Sequence, residues 1–243
     1  MGARIRRLLT ILVIFLGPGF VIWYIAKTFD NHFIELPYLG YTYTYDEDGN
    51  AVDSVAYNIP NFELTTFDGE VINRDSIRDR FIVLTTIQNN CPDLDDCALG
   101  MYHFDMLFYA KMLKNDSYDN VQVLSILTDQ DGKIDTNGIS FKLREEMAEY
   151  DLRKWWLCTG DATPFYNFPY YGDIFLNHKS TPDNGEIGEY AFTNSLVLID
   201  HEGYIRAVTG SKRDSDIRNF FDMLKLLKKE EFDRNRAANS RKK

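Results

Sequence analysis

Cys91-Pro92-Asp93-Leu94-Asp95-Asp96-Cys97 places two thiols and three carboxylates in one short stretch. Two cysteines this close can form a disulfide, work as a redox pair, or present soft ligands to a metal. The stretch follows an apolar, β-branched run, Phe81 to Ile87, and precedes a helix-like segment, Ala98 to Leu113. A strand, a loop and then a helix put the first thiol near a helix N-terminus, whose partial positive charge favours thiolate. The aspartates act the other way, raising the thiol pKa and disfavouring a nucleophile. On a regular helix residues six apart rise ~9 Å, whereas a disulfide needs its Cα atoms within about 7 Å. Pro92 and the aspartates therefore point to a loop, with Asp95 or Asp96 capping a helix that begins near Cys97. A loop lets the sulfurs meet. A structural or slowly exchanging disulfide is expected ahead of a fast oxidoreductase.

The chain has three cysteines, too few for a disulfide scaffold and odd in number. Pairing Cys91 with Cys97 leaves Cys158, which reads as a buried core residue within Trp155-Trp156-Leu157-Cys158. His103 reads as a packed or exposed residue of the helix after Cys97. The aspartate cluster reads as a cap and a solvated loop rather than a metal site.

The elements that position these residues belong to a chain long enough, at 243 residues, for one sizeable core with appendages. A net charge of −10 argues against nucleic acid as a partner, because phosphate contacts need clustered Lys and Arg. The basic clusters sit near the two ends, Arg4 to Arg7 and Arg234 to Lys243.

Leu8 to Ala26 carries no charge. As a helix it spans about 28 Å, close to the hydrocarbon thickness of a bilayer. Gly17-Pro18-Gly19 would kink it, and small residues there let another helix approach. Arg4, Arg6 and Arg7 before the span predict a cytoplasmic N-terminus, and Trp23 and Tyr24 suit the outer interface. An uncleaved single-pass anchor is expected ahead of a cleaved signal peptide. The following domain then lies in the periplasm, an oxidising space where cysteine pairs persist as disulfides.

Residues 1–30 are thus read as cytoplasmic stub and anchor, 31–57 as linker, 58–232 as one domain and 233–243 as a basic tail. The linker holds a candidate hairpin turning at Asp48-Gly49. In the domain, Phe62 to Thr65 alternates like a strand, and Asp68-Gly69 turns the chain before Val71. Phe81–Ile87, Val121–Leu127 and Ser195–Ile199 read as buried strands, and Tyr204–Val208 alternates after a turn. Helices are expected at about 97–114, 138–150 and 213–232. In the last, Ile217, Phe220, Phe221, Leu224 and Leu227 form one apolar stripe. Residues 161–192 read as an irregular insertion. The order spells an α/β, thioredoxin-like domain, a central mixed sheet flanked by helices, behind one N-terminal transmembrane helix.

Several stretches carry a family resemblance: Ile59-Pro60-Asn61-Phe62-Glu63-Leu64-Thr65 with Asp68-Gly69, then the strand into Cys91-Pro92-Asp93. Leu124-Ser125 with Asp129, Thr159-Gly160-Asp161 and Leu198-Ile199-Asp200-His201-Glu202-Gly203 complete the set. In order and spacing the chain resembles the SCO/SenC family, membrane-anchored thioredoxin-fold proteins that deliver copper to the CuA site of cytochrome c oxidase. Leu36-Pro37-Tyr38-Leu39-Gly40 looks like the family's bacteroidete branch. The resemblance implies a role in assembling a respiratory oxidase, or as an accessory subunit of one. It departs at the ligands. The family spaces its cysteines by three residues, whereas five separate Cys91 from Cys97. Its third ligand, a His before the Leu198-Ile199-Asp200 strand, corresponds to Phe192, and none of His32, His103, His178 or His201 falls there. The copper site is expected to be degenerate, with no metal ligand and no cofactor assigned. An enzyme is not expected. The alternatives are a periplasmic thiol-disulfide oxidoreductase using Cys91 and Cys97, or a copper chaperone with altered ligands.

Overall fold

A computed structural model describes residues 2, 17–24, 35–91, 97–129, 131–178 and 193–240. The chain divides into two units, Met1–Glu35 and Leu36–Lys243. In the first, residues 17–24 are helical. No helix among the described residues is long and apolar enough to cross a membrane. The expected span 8–26 lies outside the described residues except for 17–24.

The second unit is built on a seven-stranded sheet. Its middle three strands are β5 (Phe81–Gln88), parallel to β6 (Val121–Thr128), which is parallel to β7 (Trp155–Gly160). β10 (Ser195–Ile199) runs antiparallel to β5, and β11 (Ile205–Gly210) antiparallel to β10. β3 (Glu63–Thr66) and β4 (Val71–Asn73) extend the other edge antiparallel. The order across the sheet is therefore β11-β10-β5-β6-β7-β3-β4. A parallel pair joined through a helix, followed by an antiparallel hairpin and a helix, is the thioredoxin-like arrangement. Every residue of β5 and β6 is buried, and each strand carries apolar residues on both faces, because both sheet faces are covered.

Alternation along β5 divides the core. Phe81, Val83 and Ile87 join one cluster, and Ile82 and Leu84 the other. The first cluster is roofed by helical residues 101–113, Phe141–Met147 and Asp214–Ser240. The stripe Ile217, Phe220, Phe221, Leu224 and Leu227 is buried in it. This helix continues to Ser240, through exposed residues that include no Gly or Pro to break it.

Three expectations are corrected. β7 is not among the strands read from sequence, because four apolar residues after Arg153-Lys154 show no period. The run becomes a strand through its pairing with β6 and β3, and Trp155 Nε1 donates to Ser125 Oγ at 2.8 Å. The insertion is not irregular over 161–178. It holds a helix (Thr163–Tyr166), the hairpin β8–β9 (Pro169–Tyr170 and Asp173–Ile174) and a second helix (Phe175–His178). Phe165, Tyr166, Phe168 and Phe175 are buried there and roof the second cluster, with Phe168 stacked on Phe175 at 4.7 Å. Aromatic clusters of this kind carry no periodic signal. The helix expected from residue 97 starts at Met101, and Asp105–Tyr109 form a π-turn within it. Leu107, Phe108 and Tyr109 are consecutively buried, which the wider π-turn permits and a regular α-helix disfavours.

Candidate functional site at the Cys91–Cys97 cleft

Gln88 ends β5 and Asn89 comes next, and their side chains organise the two walls of a cleft. The Gln88 amide oxygen accepts the Ala98 N–H at 3.0 Å. The Ser211 hydroxyl donates to the Ala98 carbonyl, and the Gly100 N–H donates to the Ser211 carbonyl at 3.2 Å. The Ala98 N–H and carbonyl and the Gly100 N–H are thus engaged by β5 and by the chain after β11 rather than along a helix. That is why the helix starts late. It also leaves Cys97 in a loop, where Cys91 and Cys97 form a disulfide with Cα atoms 5.6 Å apart.

Asn89 fixes the opposite wall. Its Nδ2 donates to Asp135 Oδ2 at 2.8 Å and to the Gly138 carbonyl at 2.6 Å, and its Oδ1 accepts the Ser140 N–H. The Ser140 hydroxyl donates to the Asn89 carbonyl at 2.6 Å and caps the helix Phe141–Met147 by accepting the Leu143 N–H at 3.1 Å. Burial works against the Asp135 charge. The hydrogen bonds from Asn89 and Asn137 outweigh it and hold the carboxyl below its ordinary range. Asn89→Ala is expected to lower stability by about 2–3 kcal/mol, because it unpairs three partners. Asp135's contribution is whole above the ordinary carboxylate range and fades as pH falls through its lowered value. Urea unfolding of both proteins across the acid range should show the loss, and a smaller acid-side dependence in the variant. Equal stability would mean that Asn89 does not hold this loop.

Between the two walls the cleft measures about 680 Å³. Ile87, Leu99 and Leu143 give it apolar lining, Lys142, Glu146 and Lys212 charged lining, and Cys91 and Cys97 open onto it. Tyr102 is 71% exposed at its edge. His103 also lines it, its Nδ1 lying 2.6 Å from Asp214 Oδ1. Sequence reasoning named the cysteines and His103 but missed Gln88, Asn89, Lys142 and Lys212. Polar residues closing an apolar strand were the available signal for the first two.

The other named residues separate. His201 lies at the β10–β11 turn, its ring 5.9 Å from Phe81 at the opposite end of β5. The length of β5 from Phe81 to Gln88 separates it from the cleft by about 23 Å at ~3.3 Å per residue. Cys158 is buried in β7, as expected, and unpaired. Burial, with the charges of Asp68 and Glu70, pushes its thiol up to about 12. Asp93, Asp95, Asp96, His32 and Phe192 lie outside the described residues, as does the side chain of His178.

These residues do not compose a Cu(I) ligand set in this oxidised form. The two sulfurs are bonded to each other, so neither is a thiolate, and His201 is at the far end of the sheet. No group of three or more His, Cys, Asp or Glu among the described residues is arranged to hold a metal ion.

No protein-family model matches the chain, and no curated protein matches it. Solved structures do. An SCO1/SenC family lipoprotein from Bacillus anthracis is similar at 21% identity and a TM-score of 0.46, over 70% of this chain and 95% of that one. BsSco, a member of the Sco family of cytochrome c oxidase assembly proteins, is similar at 15% identity and a TM-score of 0.46, over 71% and 94%. Sco/SenC proteins are thus among the similar structures. ScoI of Bradyrhizobium japonicum, solved with copper bound, is similar at 17% identity and a TM-score of 0.42, over 71% and 100%.

Proposed function

We propose that this chain is a membrane-anchored, SCO/SenC-like protein of the cell envelope that acts in assembling a respiratory cytochrome oxidase, or stays with one as an accessory subunit. Leu8 to Ala26 tether it, with the N-terminus cytoplasmic and the domain periplasmic. Its copper site is degenerate, and Cys91–Cys97 serves as a structural or slowly exchanging disulfide. The observation that carries this reading is the position of that disulfide. Its cysteines follow β5 of a thioredoxin-like sheet, where the family resemblance puts a two-thiol site, and its sulfurs are joined to each other. A disulfide also fits the periplasm rather than the cytoplasm.

Two measurements test it. The reduced protein, titrated with Cu(I) against a competing chelator, is expected to form no tight complex. A one-to-one complex that survives competition and disappears in Cys91→Ser would restore the chaperone reading. Gentle-detergent purification of tagged protein is expected to co-isolate oxidase subunits, with recovery weakened when Gly17 and Gly19 are replaced by Leu. A protein that runs alone in both forms rejects the subunit role and leaves transient assembly.

The oxidoreductase reading draws on one observation: both cysteines are partly exposed beside the cleft, within reach of a partner thiolate. Attack on one sulfur would form a mixed disulfide and release the other as thiolate. Rapid insulin reduction by the purified protein, lost in Cys91→Ser, would favour it.

A further inference from the structure

The segment after the tether forms a ribbon, β1 (Thr42–Tyr45) paired with β2 (Ala51–Val55), and every residue of both strands is exposed. Neither strand pairs with any other among the described residues, so both ribbon edges are open. The base, by contrast, is fixed. Gly40 has φ +74°, and a Cβ there would lie 2.8 Å from the Tyr57 Cβ. The Tyr57 N–H donates to the Gly40 carbonyl at 3.0 Å, and its hydroxyl donates to the Pro164 carbonyl at 2.8 Å. At the tip, Asp46 Oδ1 accepts the N–H groups of Asp48 and Asn50 at 3.0 and 2.7 Å.

Alternation puts Tyr43 and Tyr45 on one face with Tyr41, and across the ribbon Ser54 pairs with Tyr43 and Ala51 with Tyr45, with Val52 at the register shift between them. Tyr43, Tyr45 and Val52 are 51%, 62% and 60% exposed. A lone two-stranded ribbon is marginal in water, and a row of uncovered tyrosines is the composition of a binding surface. Charge then selects the partner. Residues 36–57 contain four acidic residues and no Lys or Arg. An anionic membrane surface would repel this segment, and so would the same ribbon on a second copy of a chain with net charge −10.

We infer that the ribbon docks an extended, Lys/Arg-rich segment of a partner protein. That segment adds as a third strand along an open edge. It lays cationic side chains over the tyrosine rings and beside Asp46, Glu47 and Asp48. The inference stands on the ribbon alone and holds whether or not the partner is an oxidase.

The test uses the full chain. In detergent, a short peptide of alternating Lys and Val is titrated against the protein, with a Glu and Val peptide as control. Tyr43→Ser with Tyr45→Ser leaves the charge unchanged and is expected to weaken Lys–Val binding about tenfold, while Tyr43→Phe with Tyr45→Phe retains most of it. Equal binding by the Ser variant, or binding of the Glu–Val peptide, overturns the proposal. In native membranes, a photo-crosslinker at Tyr43 is expected to label a partner protein on a peptide carrying Lys and Arg. Adducts only to lipid, to a second copy or to nothing overturn it.

Discussion

Arg206→Ala is expected to destabilise the domain by about 3–5 kcal/mol, a large part of the margin by which such a domain is folded. The Arg206 side chain is 1% exposed. Its guanidinium donates to Asp200 Oδ2 at 3.1 Å, to both Glu230 oxygens at 3.0 and 2.8 Å, and to the Leu36 carbonyl at 2.6 Å. It also stacks 4.2 Å from the Tyr38 ring centroid. Burial alone would lower the guanidinium pKa, but the bonds to Glu230 and Asp200 outweigh it and raise the value. Truncation leaves Asp200 with an unpaired buried carboxylate oxygen and frees the Leu36 carbonyl. Arg206→Lys keeps the charge without the planar fork and should recover only part of the loss. Urea unfolding measures both. Because Arg206 holds Leu36, limited proteolysis should also cut more readily near residues 36–40 in Arg206→Ala. A loss under ~1 kcal/mol, or an unchanged cleavage pattern, would show that the network is not what secures the entry of the chain into the domain.

Cys158 is expected to resist alkylation in the folded protein by about three orders of magnitude relative to an ordinary exposed thiol. Its pKa is pushed from 9.0 to about 12, and reaction rate follows the thiolate fraction. Without reductant, mass spectrometry should find no cysteine modified. After mild reduction it should find Cys91 and Cys97 modified and Cys158 intact. The same shift has a stability consequence. The folded state keeps the Cys158 proton above the pH at which the unfolded chain loses it, so the stabilisation is whole below about pH 9 and is lost as pH rises toward 12. Across that full window the loss would reach about 4 kcal/mol. Cys158→Ala should unfold with a shallower alkaline dependence than the parent chain. Rapid alkylation of native Cys158, or identical alkaline slopes, would place this thiol somewhere wetter than the buried face of β7.

The elements legible in the sequence are those whose pattern is local. Phe81–Ile87, Val121–Leu127 and Ser195–Ile199 announce themselves because a strand covered on both faces carries apolar residues on both of them. The C-terminal helix is legible because one face packs on the sheet, so Ile217, Phe220, Phe221, Leu224 and Leu227 repeat at helical spacing. The hairpin turn near Asp48-Gly49 is legible because Gly49 sits at φ +81°, where glycine is favoured. The closeness of Cys91 to Cys97, with Cα atoms 5.6 Å apart, was legible from Pro92 and from the length of a helical rise. Trp155–Cys158 was not, because four residues are too few to show a period and strand identity there comes from the partners on either side. Phe165, Tyr166, Phe168 and Phe175 were not either, because aromatic rings pack by shape rather than by spacing.

The site shows the same division. Residue types in the sequence determined that two thiols share a loop beside a strand and that a third lies in the core. Only the tertiary structure decided that Gln88, Ala98, Gly100 and Ser211 delay the helix and let Cys91 meet Cys97. It also decided that Asn89 holds the facing wall and that His201 sits at the far end of β5. Arg206 is the plainest case. In sequence it is one charge on an alternating strand beside a turn, with nothing to mark it as buried. Its partners, Leu36, Tyr38, Asp200 and Glu230, lie up to 170 positions from it along the chain. A charge is stable in a dry interior only where several such groups converge. Convergence is a property of the folded chain, and no local pattern can carry it.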